Sequence, residues 1–167
     1  MALIIEDGSQ VLSSNSYSTR AEYIAYAATV GITVADNADA DEQLINAAIY
    51  ISTKEPVLKG LKVDRDQSMS YPRSDLYIDG FYWGIDEIPK QAILTQLNLA
   101  LDIKSGIDLY NPPQSKSTGV KRKKVDGAVE VEYAVKDAEK MARYSASMAL
   151  LEALIDCVGL SIPLVRA

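Results

Sequence analysis

Lys121, Arg122, Lys123 and Lys124 are the residues best suited to work other than packing, four consecutive cations in one short run. With Lys116 they place five positive charges within nine residues that hold no acid. The whole chain is −6, so the remainder carries −11. A basic segment on an acidic body predicts an electrostatic contact, made either with nucleic-acid phosphates or with an acidic neighbouring protein. The plainer reading is a solvated strand at a loop edge. Against tight nucleic-acid binding stands the acidic body, which repels a polyanion wherever the two come close.

Other chemistry has little to build on. The sequence has no histidine, which removes Ser-His-Asp and Cys-His mechanisms and most zinc and iron sites. Asp36, Asp39, Asp41 and Glu42 are close enough to suggest cation binding, yet the glycine and distal glutamate of a calcium loop are missing, and helix capping explains them more simply. Asp64, Asp66, Asp75 and Asp79 could supply a carboxylate pair, but nothing in their spacing marks two of them as partners. Neither phosphate-cradling glycine motif is present. Cys157, the single cysteine, excludes an internal disulfide and reads as a small core residue. The sequence therefore predicts no enzyme, no cofactor and no metal.

Aromatic residues crowd between Tyr71 and Trp83: Tyr71, Tyr77, Phe81, Tyr82 and Trp83. Such a cluster can stack on single-stranded bases. Arg73 is the one basic residue interleaved with it, so packing in the core or at an interface is the favoured expectation.

The elements that must position these residues are mostly helical. Thr19-Arg-Ala-Glu22 has capping-box spacing, and Tyr23, Ala27 and Val30 share a face up to a stop at Gly31. A second helix follows, capped by Asp39 with Glu42, carrying Leu44, Ala47, Ala48 and Ile51 and ending near Pro56. From Leu58 to Ile88 the pattern breaks into a long irregular loop. Ile88-Pro89 opens a third helix with Ala92, Ile93, Leu97, Ala100 and Leu101 buried and Gly106 as its end. Asn111 to Gly119 is a linker by composition. A β-hairpin arm is predicted at about 117–135, turning at Asp126-Gly127, with Val129, Val131 and Tyr133 alternating against Glu130 and Glu132. The fourth helix, from Asp137 to Val158, places Met141, Tyr144, Met148, Leu151 and Ile155 on one face. The tail at about 159–167 is too short to fold alone and reads as a docking segment through Ile162, Pro163, Leu164 and Val165.

One domain spanning 1–167 is the expectation from length. No apolar run approaches the ~20 residues that span a bilayer, and the N-terminal residues lack the basic start of a secretory signal.

A wider pattern joins several of these motifs. Gln67-Ser-Met-Ser-Tyr71-Pro72-Arg73 precedes Gly80 and then Glu87-Ile88-Pro89 at a helix start. Asn15-Ser-Tyr17 leads into the first helix, and Val120-Lys-Arg-Lys-Lys124 runs towards Val131-Glu-Tyr133. In this order they resemble the head–tail connector adaptors of tailed phages, some of which are labelled DnaT-like. The resemblance implies a mainly α fold: a four-helix bundle-like core with a β-hairpin arm and an extended C-terminal tail. It makes Tyr71, Pro72, Arg73, Ile88 and Pro89 a fold signature. It also implies a non-catalytic structural subunit of the virion, made in the bacterial host cytoplasm and placed at the head–tail junction.

Its partners would be the portal protein, neighbouring copies in a homo-oligomeric ring (a dodecamer), a downstream connector or tail protein, and double-stranded DNA passing through without sequence-specific binding. No membrane is involved. Lys121 to Lys124, Tyr133 and Ile162 to Val165 would face the portal, a neighbour or DNA. The alternative, suggested by the DnaT-like label, is a single-stranded DNA-binding replication protein whose basic run holds phosphates.

Overall fold

A computed structural model describes residues 2–112 and 135–156, with side chains in the last helix from residue 140 onwards. Helix α1 (Arg20–Thr29) begins at the expected capping box. The Thr19 hydroxyl accepts from the Glu22 amide at 3.2 Å while the Glu22 carboxylate accepts from the Thr19 amide at 2.7 Å. It stops at Gly31, whose φ of +74° sends the chain back so that the Ile32 amide donates to Ala27 at 2.9 Å. Helix α2 (Ala38–Ser52) starts earlier than a cap at Asp39 implies. Asn37 is the cap, its Oδ1 accepting from Asp39 and Ala40, and the acids Asp39 and Asp41 fill the first turn.

Between α2 and the next helix the expected irregular loop is instead built from a 3-10 turn (Glu55–Val57) and two small antiparallel sheets. Strand β1 (Leu61–Lys62) pairs with β2 (Arg73–Ser74), and β3 (Leu76–Ile78) pairs with β4 (Phe81–Trp83). Helix α3 (Lys90–Lys104) follows, with Pro89 as its extended N-cap, and α4 is Val135–Glu152. The α4 helix ends before the expected Val158. Leu154 and Asp156 turn away to bond Lys59 and Val57, the Lys59 amide reaching the Leu154 carbonyl at 2.9 Å.

These elements correct the bundle-like fold class. The domain is a small mixed α/β unit, four helices with two antiparallel sheets, rather than a helical bundle core. Helix α3 packs against both α2 and α4, and its Leu99, Ala100 and Leu101 lie in one buried core with Leu44, Ile51, Leu151 and Leu154. Part of the core is not helical: Tyr17, Met69, Tyr71, Leu76 and Ile78 enter it from the N-terminal segment and the sheet region. Alternation along β3 sends Leu76 and Ile78 to the same side, so the strand closes part of the core alongside the four helices.

The N-terminal segment is held by buried polar contacts. Glu6, only 2% exposed, accepts from the amides of Gly8 and Gln10 and from the Ser14 hydroxyl. Gln96 on α3 accepts from the Tyr17 amide and donates to Ser16 Oγ and the Leu44 carbonyl, each at 2.9 Å. Among the described residues no helix is long and apolar enough to cross a membrane.

Candidate nucleic-acid interface

The aromatic cluster splits in two. Tyr71 is fully buried; its ring meets Tyr17 edge-on at 6.2 Å, and its amide donates to the Tyr17 hydroxyl at 3.1 Å. Burial raises both phenols above their ordinary range. Pro72 follows through a cis peptide bond. Arg73 is 5% exposed and spends its guanidinium on backbone carbonyls, Nη2 donating to Gly60 at 2.8 Å and Nη1 to Ser70 at 3.4 Å. Ile88 is half-buried against the core and Pro89 is buried at the start of α3.

Tyr77 and Tyr82 face outward, because of one turn. Asp79 and Gly80 both have positive φ, +54° and +81°, the geometry of the tight hairpin turn that an Asp-Gly pair favours. It fixes the register Leu76↔Trp83, Tyr77↔Tyr82, Ile78↔Phe81. Side chains alternate across strands, so burying Leu76 and Ile78 forces Tyr77 and Tyr82 onto the opposite face. There the two rings touch, centroids 5.3 Å apart and tilted by 57°. Phe81, beside the turn, is 72% exposed. Trp83 returns to the half-buried side, its indole N–H buried without an acceptor among the described residues.

Two further contacts set the hairpin on the domain. Gly60 has φ +74°, and a Cβ there would stand 2.6 Å from the Ser74 carbonyl oxygen, so only glycine lets β1 approach β2 so closely. The Gln91 amide of α3 reaches the Asp79 carboxylate at 3.4 Å, tying the turn to the helix.

The electrostatics of this tip are acidic. Asp75, Asp79, Asp86 and Glu87 are exposed around it, and Lys62 is committed to Glu55 at 2.8 Å. Three exposed rings among carboxylates can take the flat face of a base but cannot hold its phosphate. The groups that could hold phosphates, Lys121, Arg122, Lys123 and Lys124, lie outside the described residues. So do Tyr133, Ile162, Pro163, Leu164 and Val165, the hairpin arm and the docking tail.

Two of the four acids considered for a metal, Asp36 and Asp41, are held by one arginine, and Asp64, considered for a carboxylate pair, is tied to its own loop. Arg20 reaches Asp41 with both Nε and Nη2, at 2.8 and 2.6 Å, and Asp36 with Nη1 at 2.8 Å. The Arg20 hydrogen bonds hold the Asp41 carboxyl below its usual range. The Asp64 carboxylate accepts from the Asp66 amide, closing a local turn. Among the described residues no three candidate ligands converge on a metal position.

Two functional features are not apparent from the sequence reading. One is the β3–β4 hairpin, although Asp79-Gly80 between alternating apolar residues is the same signal that marks Asp126-Gly127. The other is Asp102, a fully buried carboxyl on α3 beside Arg143 of α4; a lone acid on an apolar helix face is its only sign.

The fold and the exposed hairpin thus define a small mixed α/β domain that carries aromatic rings on its surface. Over residues 1–167 the chain matches the family described as "Putative DnaT-like ssDNA binding protein", and it belongs to that family. No curated protein and no solved structure matches it. The family corrects the expectation of a virion structural connector. Its description concerns single-stranded DNA and makes no mention of a phage portal, a ring or a tail.

Proposed function

We propose that this protein binds single-stranded DNA without catalysing a reaction on it, in the setting of DNA replication. Two things support the reading: the family description and a trio of exposed rings, Tyr77 and Tyr82 on one face of the hairpin and Phe81 on the other beside the turn. The trio carries the argument. Unpaired bases offer a flat apolar face that duplex DNA hides in its stack, and exposed rings on a rigid hairpin meet it at little entropic cost. The acidic flanks turn phosphates away from the tip. Bases therefore approach it edge-outward from the backbone, while Lys121, Arg122, Lys123 and Lys124 neutralise phosphates elsewhere on the strand.

The division of labour has a direct test. Titration of a labelled oligothymidine at low salt, followed by anisotropy, should show saturable binding. Trp83, the single tryptophan, should report it by altered emission because its strand carries Tyr82. Replacing Lys121, Arg122, Lys123 and Lys124 by glutamine should flatten the salt dependence, by about 0.7 in log–log slope for each phosphate that is no longer neutralised. A flat titration at low salt would remove the reading altogether.

A further inference from the structure

The outer face of α2 carries a groove that the DNA reading does not use. Asn46 lines two cavities there: one of about 380 Å³ beside Ile45 and Ile49, and one of about 320 Å³ beside Ile107 and Tyr110. Ile49 is 51% exposed and Tyr110 67%, a large apolar area left uncovered by the described residues. The rim is charged. Asp39 and Glu42 stand exposed on the first turns of α2 and Asp108 near the other end, and none of the three is ion-paired among the described residues. Asp41, by contrast, gives its charge to Arg20. Lys54 sits over the Tyr50 ring at 5.1 Å, so the acidic character is concentrated at the Asp39–Glu42 end.

We propose that this groove is the docking surface of the chain's own Val120–Val125 segment. Three observations fit that occupant. The segment is Val-Lys-Arg-Lys-Lys-Val, an apolar residue at each end and four cations between, which matches two apolar cavities under an acidic rim. It is tethered at the groove, since Tyr110 lines one cavity and only residues 111–119 precede Val120. Nine extended residues reach up to roughly 30 Å, while α2 from Asp39 to Ile49 is about 15 Å long. A tether of that length supplies an effective concentration in the millimolar range, so weak contacts suffice. Docked there, the four cations are withheld from DNA phosphates, and groove and DNA compete for them. That consequence rests on the single-stranded DNA reading; the docking itself does not.

The test is made without DNA. Isoleucine methyl spectra of the full chain are compared with those of a variant carrying glutamine at positions 121–124. The Ile45 and Ile49 methyls should shift, and a synthetic peptide of residues 119–126, added to the variant, should restore the wild-type positions. The same peptide with Val120→Ser and Val125→Ser should not. Adding Glu42→Gln and Asp108→Asn to the variant should weaken the peptide about tenfold. Identical groove methyls in the two proteins, or a peptide that binds equally well without its valines, would overturn the proposal. Wild-type shifts that vanish on dilution would overturn it too, by making a second copy the occupant. If docking holds and oligothymidine titrations stay flat, the DNA reading alone has failed.

Discussion

Arg143 Nε on α4 lies 3.4 Å from Oδ1 of Asp102 on α3, and the carboxylate it faces has no solvent-exposed surface. This pair joins the two helices where the described chain resumes after residue 112. Burial raises the Asp102 carboxyl above the ordinary aspartate range, and neither Ser147 nor Arg143 fully offsets that. The sign follows directly. A folded-state value above the unfolded one makes the charged form a burden on the fold. Stability therefore rises as pH falls from above the folded value towards the unfolded one, near 3.9, and the gain is lost above the folded value. Urea unfolding across that interval should show the trend in the wild type and lose it in Asp102→Asn. Arg143→Met, which leaves the carboxylate unpaired, should cost about 1–3 kcal/mol at neutral pH.

Arg20 produces the opposite pH dependence. Its guanidinium holds Asp41 below the usual range, so the ion pair contributes stability above the unfolded aspartate value and loses it as pH falls through the lowered one. Arg20 is partly exposed, which screens the effect. In Arg20→Ala the acid limb of the stability curve should flatten below about pH 4. Chemical denaturation of both proteins at matched ionic strength reads the difference.

Gln96 is the point where three segments meet. Its side-chain amide serves the Tyr17 amide, the Ser16 hydroxyl and the Leu44 carbonyl, and it is fully buried. Gln96→Leu fills the same space but leaves the buried Tyr17 amide without its acceptor, while Ser16 keeps its bonds to Ser18, so a loss of about 1–3 kcal/mol is expected. A thermal melt measures it. Hydrogen exchange should speed up first in the N-terminal segment, because the Tyr17 amide loses its acceptor outright.

How far these features are legible depends on whether their cause is local. The capping box at Thr19 and Glu22, the stop at Gly31 and the start of α3 at Pro89 are each decided within four residues, and the sequence shows them directly. The α2 cap falls at Asn37 rather than Asp39, because both are good caps and only backbone geometry chooses between them. The sheets escape notice for another reason. Strands of two or three residues leave almost no periodic trace, and the aromatic Phe81, Tyr82 and Trp83 run hides the alternation that Leu76 and Ile78 show. Long-range partners are invisible altogether: nothing near Gln96 announces Leu44 or Ser16, and nothing near Arg20 singles out Asp41 from its acidic neighbours. The bundle expectation fails at that level, since it counts helices alone and takes the strand that closes the core for loop.

The Tyr77–Tyr82 pair supplies the sharpest functional prediction. Each ring stacked on a base is worth about 1–3 kcal/mol by truncation, so Tyr77→Ala and Tyr82→Ala should each weaken oligothymidine binding by roughly ten- to a hundredfold. The rings touch at 5.3 Å, and each supports the other's orientation. Losing one should therefore impair what the other can do, and the double variant should fall short of the product of the single losses. Gly80→Val provides the structural control. Valine at φ +81° strains the turn by about 1–2 kcal/mol without touching either ring, so it should lower binding only in proportion to hairpin opening seen by hydrogen exchange. If both tyrosine variants bind like the wild type, the hairpin is not the base-stacking surface, whatever the basic run contributes.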